Sequence, residues 1–481
     1  MGCRDAIAPS GGVYRPRNPR ASPLYKCVAR HAEELRAAGR FRRPVEEETV
    51  GRFVECGDPH YGFARIRCDA CGHDYLLAYS CKTRYFYPSC HQKRVLLYGE
   101  WVEENVLAPV AHRQYVFTVP RLLRPMFARR RAWLGELCRI AAHLLEKACR
   151  AAVPGARPAF IEFVQTFGDF VNFHPHVHVL AADGVFRADG VFVELSPIPE
   201  ALLEGGFRRA VLDFLVEERA ISEELRSRML GWRYSGFSVH NQVRVVAEDP
   251  EGRKKLAGYM LRAPLSLAKM SYDTASGTVI YRSKMHLGLR RNFQVMAGAE
   301  WLELLCKHIP DRYEHLVRYC GWYSNRSRGA RAAKVTVPAT ISSGITEGLS
   351  EVAQRAKAAW ARLIRKVYEA DPLECPKCKG PMRVIALIED PLVVRAILTH
   401  LGRWQPKAVG RAPQRGGPPR PGPRIRTCRS LTILCPKSPE AALRGARGRP
   451  WRGFACLNGA SASNIRHHDD CARRARPNDI P

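Results

Sequence analysis

The segment Asn172-Phe173-His174-Pro175-His176-Val177-His178-Val179-Leu180 carries three histidines at alternate positions. Side chains alternate faces along a strand, so His174, His176 and His178 share one face. Such a strand offers two imidazoles, His176 and His178, to one cation, and a cation held there polarises a phosphate oxygen. A single histidine is more often a hydrogen-bonded core residue. Three on one face need partners that a plain core lacks. The third ligand is expected from a neighbouring strand or helix. His240, in Gly236-Phe237-Ser238-Val239-His240-Asn241, is the first candidate, and Gln165, through its amide oxygen, is the alternative. Such donors, with open positions for water and phosphate, suit Mg²⁺ or Mn²⁺.

A nucleophile is expected beside them. In Lys254-Lys255-Leu256-Ala257-Gly258-Tyr259-Met260-Leu261-Arg262, Lys255 and Arg262 flank Tyr259 at helical spacings of four and three. Two cations beside a phenol favour the phenolate and can hold a phosphate. A tyrosine so placed can attack phosphorus and form a phosphotyrosine. The same spacing also suits a core tyrosine with solvated basic neighbours. Tyr272 and Tyr281, in a strand or loop, are weaker rivals.

These groups need elements to position them. Leu24, Val28, His31 and Leu35 form one stripe of a helical pattern that runs to about Phe53. A cysteine cluster follows from Cys56 to Cys90, then a helical link from Arg94 to Val106. Gln114 to Pro120, Phe160 to Phe167 and residues 173–180 read as strands. Arg129 to Ala151 reads as a helix burying Leu134, Leu137, Ala141 and Leu145. Asp183-Gly184 predicts a turn, and Val185 to Leu195 a hairpin around Asp189-Gly190. Helices are expected over 205–219 and 221–230, a strand over Phe237 to Ala247, and a helix from Pro250 to about Leu261. The order is α+β, with a mainly antiparallel sheet and flanking helices.

Composition divides the chain further. Residues 1–22 are Pro/Gly/Arg-rich and expected to be disordered. Residues 23–106 form a helix plus a cysteine-rich unit, and 107–300 the α+β catalytic domain. Residues 301–403 read as mostly helical, with a basic loop from Tyr323 to Arg331 and a Cys375-Pro376-Lys377-Cys378 motif. Residues 404–481 hold 16 Lys/Arg against 4 Asp/Glu and read as a disordered basic tail.

The formal charge is +31 over 481 residues, with an apolar share of 46%. That describes a globular protein with a polyanionic partner, and nucleic acid fits better than a membrane. No apolar run approaches the roughly 20 residues of a spanning helix. Residues 1–23 contain no apolar core of a secretory signal. Seventeen cysteines, several in Cys-x₂-Cys spacing, point to a reducing compartment and metal binding. A cytoplasmic, nucleoid-associated location follows as the expectation.

Several motifs in order now add a resemblance. They are Cys56-Gly57-Asp58, Gly62-Phe63-Ala64-Arg65-Ile66-Arg67-Cys68, Phe117-Thr118-Val119-Pro120 and His174-Pro175-His176-Val177-His178. Phe237-Ser238-Val239-His240, the Tyr259 helix, Arg318-Tyr319-Cys320-Gly321-Trp322-Tyr323-Ser324 and Cys375-Pro376-Lys377-Cys378 complete the set. From about Leu24 to Trp404 the chain resembles rolling-circle transposases of the HUH class, close to those of insertion-sequence common-region elements. The resemblance implies an HUH-type catalytic domain in which His176 and His178 hold the metal and Tyr259 is the nucleophile. It implies cleavage of single-stranded DNA at element ends, with a 5′-phosphotyrosine and a free 3′-OH, and transfer to target DNA. Two-tyrosine relatives carry a second tyrosine four residues along the helix. Lys255 and Ala263 stand there, so the chain resembles the single-tyrosine kind.

The cysteine head reads as a small zinc-ribbon-like domain. Cys68-x₂-Cys71 has the spacing of a zinc knuckle. The family's partner knuckle is Cys-Pro-Ser-Cys, and here it reads Tyr87-Pro88-Ser89-Cys90. The expected zinc set is therefore Cys68, Cys71, Cys90 and Cys81, with His91 and His73 as further possibilities. Cys375-x₂-Cys378 is half a site that needs a distant ligand or is structural. Lys82, Arg84, Lys93, Arg94, Arg326 and Arg328 are the expected DNA contacts. Tyr85, Phe86 and Tyr87 either stack on bases or fill a small core. The alternatives are a replication-initiator or relaxase-like nickase, and a non-catalytic zinc-ribbon DNA-binding protein.

Overall fold

The Ser22 hydroxyl accepts from the Tyr25 N–H, and Pro23 takes a first-turn position that has no N–H to satisfy. That start gives α1 (Pro23–Ala37) in the computed structural model, which describes residues 18–83, 85–286, 290–334 and 373–404. Leu24, Val28, His31 and Leu35 are buried as their stripe predicts. The expected single helix is broken, because Gly39 turns at φ +61° and Arg43 is extended before Pro44. A second helix, α2 (Pro44–Val54), follows.

The remaining elements alternate. They are β1 (Phe63–Cys68), β2 (Asp74–Ala78), α3 (Pro88–Asn105), β3 (His112–Thr118), α4 (Arg124–Arg129), α5 (Leu134–Ala152), β4 (Arg157–Phe167) and β5 (Phe173–Phe186). Next come β6 (Phe192–Glu194), α6 (Glu200–Glu217), α7 (Glu223–Gly231), β7 (Ser238–His240), β8 (Arg244–Val245) and α8 (Pro250–Met260). The last are β9 (Met270–Asp273), β10 (Thr278–His286), β11 (Arg291–Ala297), α9 (Gly298–Cys306), β12 (Val317–Gly321), α10 (Asn325–Lys334), β13 (Met382–Ile388) and α11 (Pro391–His400).

The central antiparallel sheet runs β12-β4-β5-β3-β7, with β6 on β5 and β8 on β3. β4 and β5 are buried along almost their whole length, so helices must cover both faces. Phe117 packs on Phe207 of α6, which puts Tyr115, Phe117, Val177 and Val179 on the α5–α6 side. Phe163 meets Tyr98 of α3 at 5.9 Å, and α8 packs on both α3 and β5. The histidines of β5 therefore face α3 and α8.

Two sequence expectations change. Asp183-Gly184 is no turn: both residues lie inside β5, whose Gly184 pairs with Glu194. A Cβ at Gly184 would stand 2.2 Å from the Val193 carbonyl oxygen. Asp183 is buried and held by Arg113 at 2.8 Å and Arg244 at 2.6 Å. The hairpin around Asp189-Gly190 forms as expected.

The second change concerns the described part of residues 301–403, which divides between two sheets. β12 is a strand of the central sheet, and β13 pairs with β1 in the cysteine-rich head, giving the sheet β13-β1-β2. The stretch Tyr323 to Arg331, expected as a loop, lies largely in α10. A third sheet, β11-β10-β9, packs with α1, α2 and α9 around Trp301, Leu302 and Phe53. Disorder is expected over residues 1–22 and 404–481; residues 18–22 form a short turn at Pro19–Ala21 and Trp404 packs on His60, while 1–17 and 405–481 lie outside the described residues.

Candidate active site and cysteine centres

Register places Gln165 opposite His176 and Phe163 opposite His178 across β4 and β5. On the other side, Thr118 and Val116 of β3 face the same two histidines. The His176 Nδ1–H donates to the His174 carbonyl at 2.8 Å, so Nε2 carries the lone pair. His178 Nδ1 pairs with the Gln114 side-chain amide at 2.8 Å, and its buried Nε2 has no hydrogen-bond partner. Gln165 donates its amide N–H to the Met260 and Tyr259 carbonyls at 2.8 and 3.4 Å, while its buried Oε1 has no partner. His174 Nε2 is likewise buried and unpaired.

Burial disfavours the imidazolium at all three positions. It holds His174 down to about 3 and His176 to about 4, and His178 well below the usual histidine range. The positive charges of Arg124 and Arg262 push in the same direction at His176. The histidines are therefore neutral at pH 7, the state in which imidazole binds a metal.

Tyr259 reaches this face from α8. Asp249 caps that helix by accepting from the Gly252 N–H at 2.7 Å, and Pro250 is its first residue. α8 sits close on α3 because Gly99 has no side chain: a Cβ there would lie 3.0 Å from the Lys254 carbonyl oxygen. The Tyr259 ring stands perpendicular to His178 with centroids 6.1 Å apart. The Arg262 guanidinium lies 4.3 Å over the Tyr259 ring and 5.4 Å over Phe167, and its buried Nε is unpaired. Lys255 is exposed one turn earlier. Tyr272 and Tyr281 are elsewhere, in the core formed with α1 and α9. Tyr272 bonds His31, and the Tyr281 hydroxyl accepts from the Ser266 N–H.

His240 lies on the same sheet face as His178 but at the sheet edge, one strand further away than Val116. Val116 pairs with His178 on one side and with His240 on the other. Two strand spacings, roughly 9.5 Å, therefore separate the histidine backbones. His240 is exposed. Gln165, one strand spacing from His176, has the better placement. Gln114 was not among the expected residues, and a glutamine in a strand gives no signal of such a role.

The cysteines regroup. Cys68 and Cys71 converge with Cys375 and Cys378, their four sulfurs lying within 4.8 Å of one another. Cys68 and Cys378 are 3.4 Å apart, and Cys71 and Cys375 3.5 Å. Cys81 and Cys90, expected with Cys68 and Cys71, stand instead with Cys56. They were separated because β1 carries Cys68 away from the end of α2, while the β13 hairpin brings the distant knuckle back. The equal spacing of the two Cys-x₂-Cys motifs was the available signal. His91 belongs to neither group and bonds the Leu261 carbonyl at 2.6 Å.

The expected DNA contacts divide. Lys82, Arg94 and Arg326 are exposed, and Lys93 is half-buried. Arg328 is half-buried, packs over Trp101 and Tyr319 and bonds Asn325 and the Tyr323 carbonyl. Tyr85, Phe86 and Tyr87 are buried, with Phe86 and Tyr87 against Phe53, so they fill a core. Arg84 lies outside the described residues.

Comparison with known proteins bears on this arrangement. Residues 27–119 match the family described as "Transposase zinc-binding domain", and residues 159–331 the family described as "Putative transposase". The chain is 26% identical over 367 residues to the "Transposase for insertion sequence element IS801" of Pseudomonas savastanoi pv. phaseolicola, covering 72% of this chain and 85% of that one. It is 26% identical over 395 residues to "Putative transposase y4qJ" of Sinorhizobium fredii (strain NBRC 101917 / NGR234), covering 75% and 94%. No solved structure matches. Among the described residues no helix is long and apolar enough to cross a membrane. The two domain matches and the two relatives make the chain similar to insertion-sequence transposases, with a match to a zinc-binding domain over residues 27–119.

Proposed function

We propose that the chain is a rolling-circle transposase of the HUH class, close to the common-region type, that cuts single-stranded element ends and joins them to target DNA. The observation that carries this reading is the pair of buried, unpaired polar atoms, His178 Nε2 and Gln165 Oε1, beside the Tyr259 ring. Unpaired polar atoms are costly in a core and call for a missing partner. Neutral imidazoles and an amide oxygen fit a divalent cation such as Mn²⁺ or Mg²⁺.

His176, His178 and Gln165 would hold that ion, and when bound it supplies Lewis-acid polarisation of the scissile phosphate. Gln114 Nε2 meets His178 Nδ1, so for His178 to offer Nε2 the Gln114 amide must turn to present its oxygen to an Nδ1–H. Tyr259 Oη attacks phosphorus and gives up its phenolic proton, the P–O3′ bond breaks, and the 3′ oxygen leaves as a hydroxyl after taking a proton. One phosphodiester is exchanged for a phosphotyrosine, so attack by a 3′-OH of another strand reverses the step without net loss of bond energy. Arg262, against the Tyr259 ring, is placed to hold the phosphate. Lys255, exposed on the preceding turn, adds positive charge near the helix. Cys68, Cys71, Cys375 and Cys378 hold a structural zinc in the head. The exposed Lys82, Arg94 and Arg326, with Lys93, contact the DNA backbone.

The test is cleavage of a labelled single-stranded element end with added Mn²⁺. Wild type is expected to nick, and His178→Ala to bind the same DNA without nicking. Binding by both proteins with nicking by neither leaves a DNA-binding module and contradicts the enzyme.

A further inference from the structure

Cys56, Cys81 and Cys90 take no part in the sites above. We propose that they form a second zinc centre, held by three thiolates and completed by an exchangeable ligand such as water. Their sulfurs lie within 4.8 Å of one another, with Cys81–Cys90 at 3.7 Å and Cys56–Cys90 at 3.9 Å. A disulfide needs about 2.05 Å. Thiolates on the corners of a tetrahedron with Zn–S near 2.3 Å stand roughly 3.8 Å apart. The observed separations match the second geometry.

Three independent backbone elements build the cluster. Cys56 follows the end of α2, Cys81 sits in the loop after β2, and Cys90 is in the first turn of α3. The Cys81 N–H donates to Cys56 Sγ at 3.4 Å, and Thr83 Oγ1 lies 3.0 Å from Cys81 Sγ. Donors aimed at sulfur stabilise thiolates, the form that binds metal. The loop between Cys81 and Cys90 holds Lys82 at φ +52° and Tyr85 at φ +57°, an uncommon backbone for side-chain-bearing residues. Surroundings that fix the loop must maintain it.

Among the described residues no fourth cysteine joins this cluster. Tyr87 stands three residues before Cys90, the position from which a Cys-x₂-Cys knuckle would supply another thiolate. Its ring is buried instead against Phe53 at 5.1 Å. Cys81 and Cys90 are half-buried, whereas Cys56 is buried. Three soft ligands select zinc over magnesium. This proposal depends neither on the Tyr259 chemistry nor on metal at Cys68.

The experiment counts zinc per full-length chain purified under reducing conditions, then repeats the count after EDTA treatment. Wild type is expected to carry two zinc ions, and Cys56→Ser and Cys378→Ser one each. Tyr87→Cys should keep its second zinc at an EDTA concentration that strips it from wild type. Should Cys56→Ser fail to fold, the wild-type and Tyr87→Cys counts still decide. A single zinc in wild type that Cys378→Ser abolishes overturns the proposal. So does a Cys81–Cys90 disulfide found by mass spectrometry. A single zinc lost in Cys56→Ser but kept in Cys378→Ser would sustain this centre and sink the Cys68 one.

Discussion

Cys68 and Cys378 are 310 positions apart in the chain and 3.4 Å apart at their sulfurs. The contact joins the end of β1 to a knuckle just before β13, and the two strands pair along their length. A metal there closes a very long loop, so it should contribute to folding as well as to local order. Cys68→Ser and Cys378→Ser are each expected to lose one zinc and to lower the thermal midpoint. The double variant should be little worse than either, because the two residues act as one unit. Additive losses in the double variant would show that the sulfurs do not share an ion.

Part of this organisation is legible in the residues and part is not. The histidine strand, the Tyr259 helix and most element positions follow from local periodicity and capping. The zinc pairing does not, since it depends on a strand contact across three hundred residues. Asp183-Gly184 misleads for a related reason. Its turn chemistry is local, whereas Arg113 and Arg244 bind the carboxylate from other strands and keep it inside the sheet. Gln165 exceeds His240 as a candidate ligand only once the register across β3 is known.

That register gives a second prediction. Gln165→Ala should raise the Mn²⁺ concentration needed for half-maximal nicking by at least about 10–100-fold, the range seen for weaker, indirect support of a metal. His240→Ala should leave it within about twofold, as expected for an exposed residue off the site. The reverse ranking in a metal titration would return the third ligand to His240.

Two histidines away from the metal face set the acid limit. His308 accepts from Thr166 and donates to the Val171 carbonyl, and burial holds it down to about 3. His112 accepts from the Tyr323 hydroxyl and donates to the Val110 carbonyl, with burial holding it down to about 4. Unfolded histidine protonates near 6.5, so between that value and about 4 the unfolded state binds more protons. Stability should therefore fall as pH drops below about 6.5. Denaturant midpoints from pH 7 to 5 check this, and His308→Gln should flatten the slope. An unchanged slope in His308→Gln would mean that His308 is charged in the fold.

Glu162 should act with the opposite sign. Burial raises its carboxyl to about 8 despite the opposing charge of Arg318, and its Oε1 has no partner. The folded state keeps this proton while the unfolded carboxyl loses it near 4.5, so stability contributed here falls as pH rises through that window. Glu162→Gln is expected to stabilise the protein more at pH 8 than at pH 5. Equal shifts at both values would place an ionised carboxylate in the core.

The central claim is that Tyr259 attacks the DNA. Incubating the protein with Mn²⁺ and a 3′-extended single-stranded element end, then digesting and sequencing the DNA-linked peptide by mass spectrometry, tests it most directly. The expected adduct is a 5′-phosphate on Tyr259, absent from Tyr259→Phe. An adduct on Tyr272 or Tyr281, or one that survives Tyr259→Phe, would contradict the account.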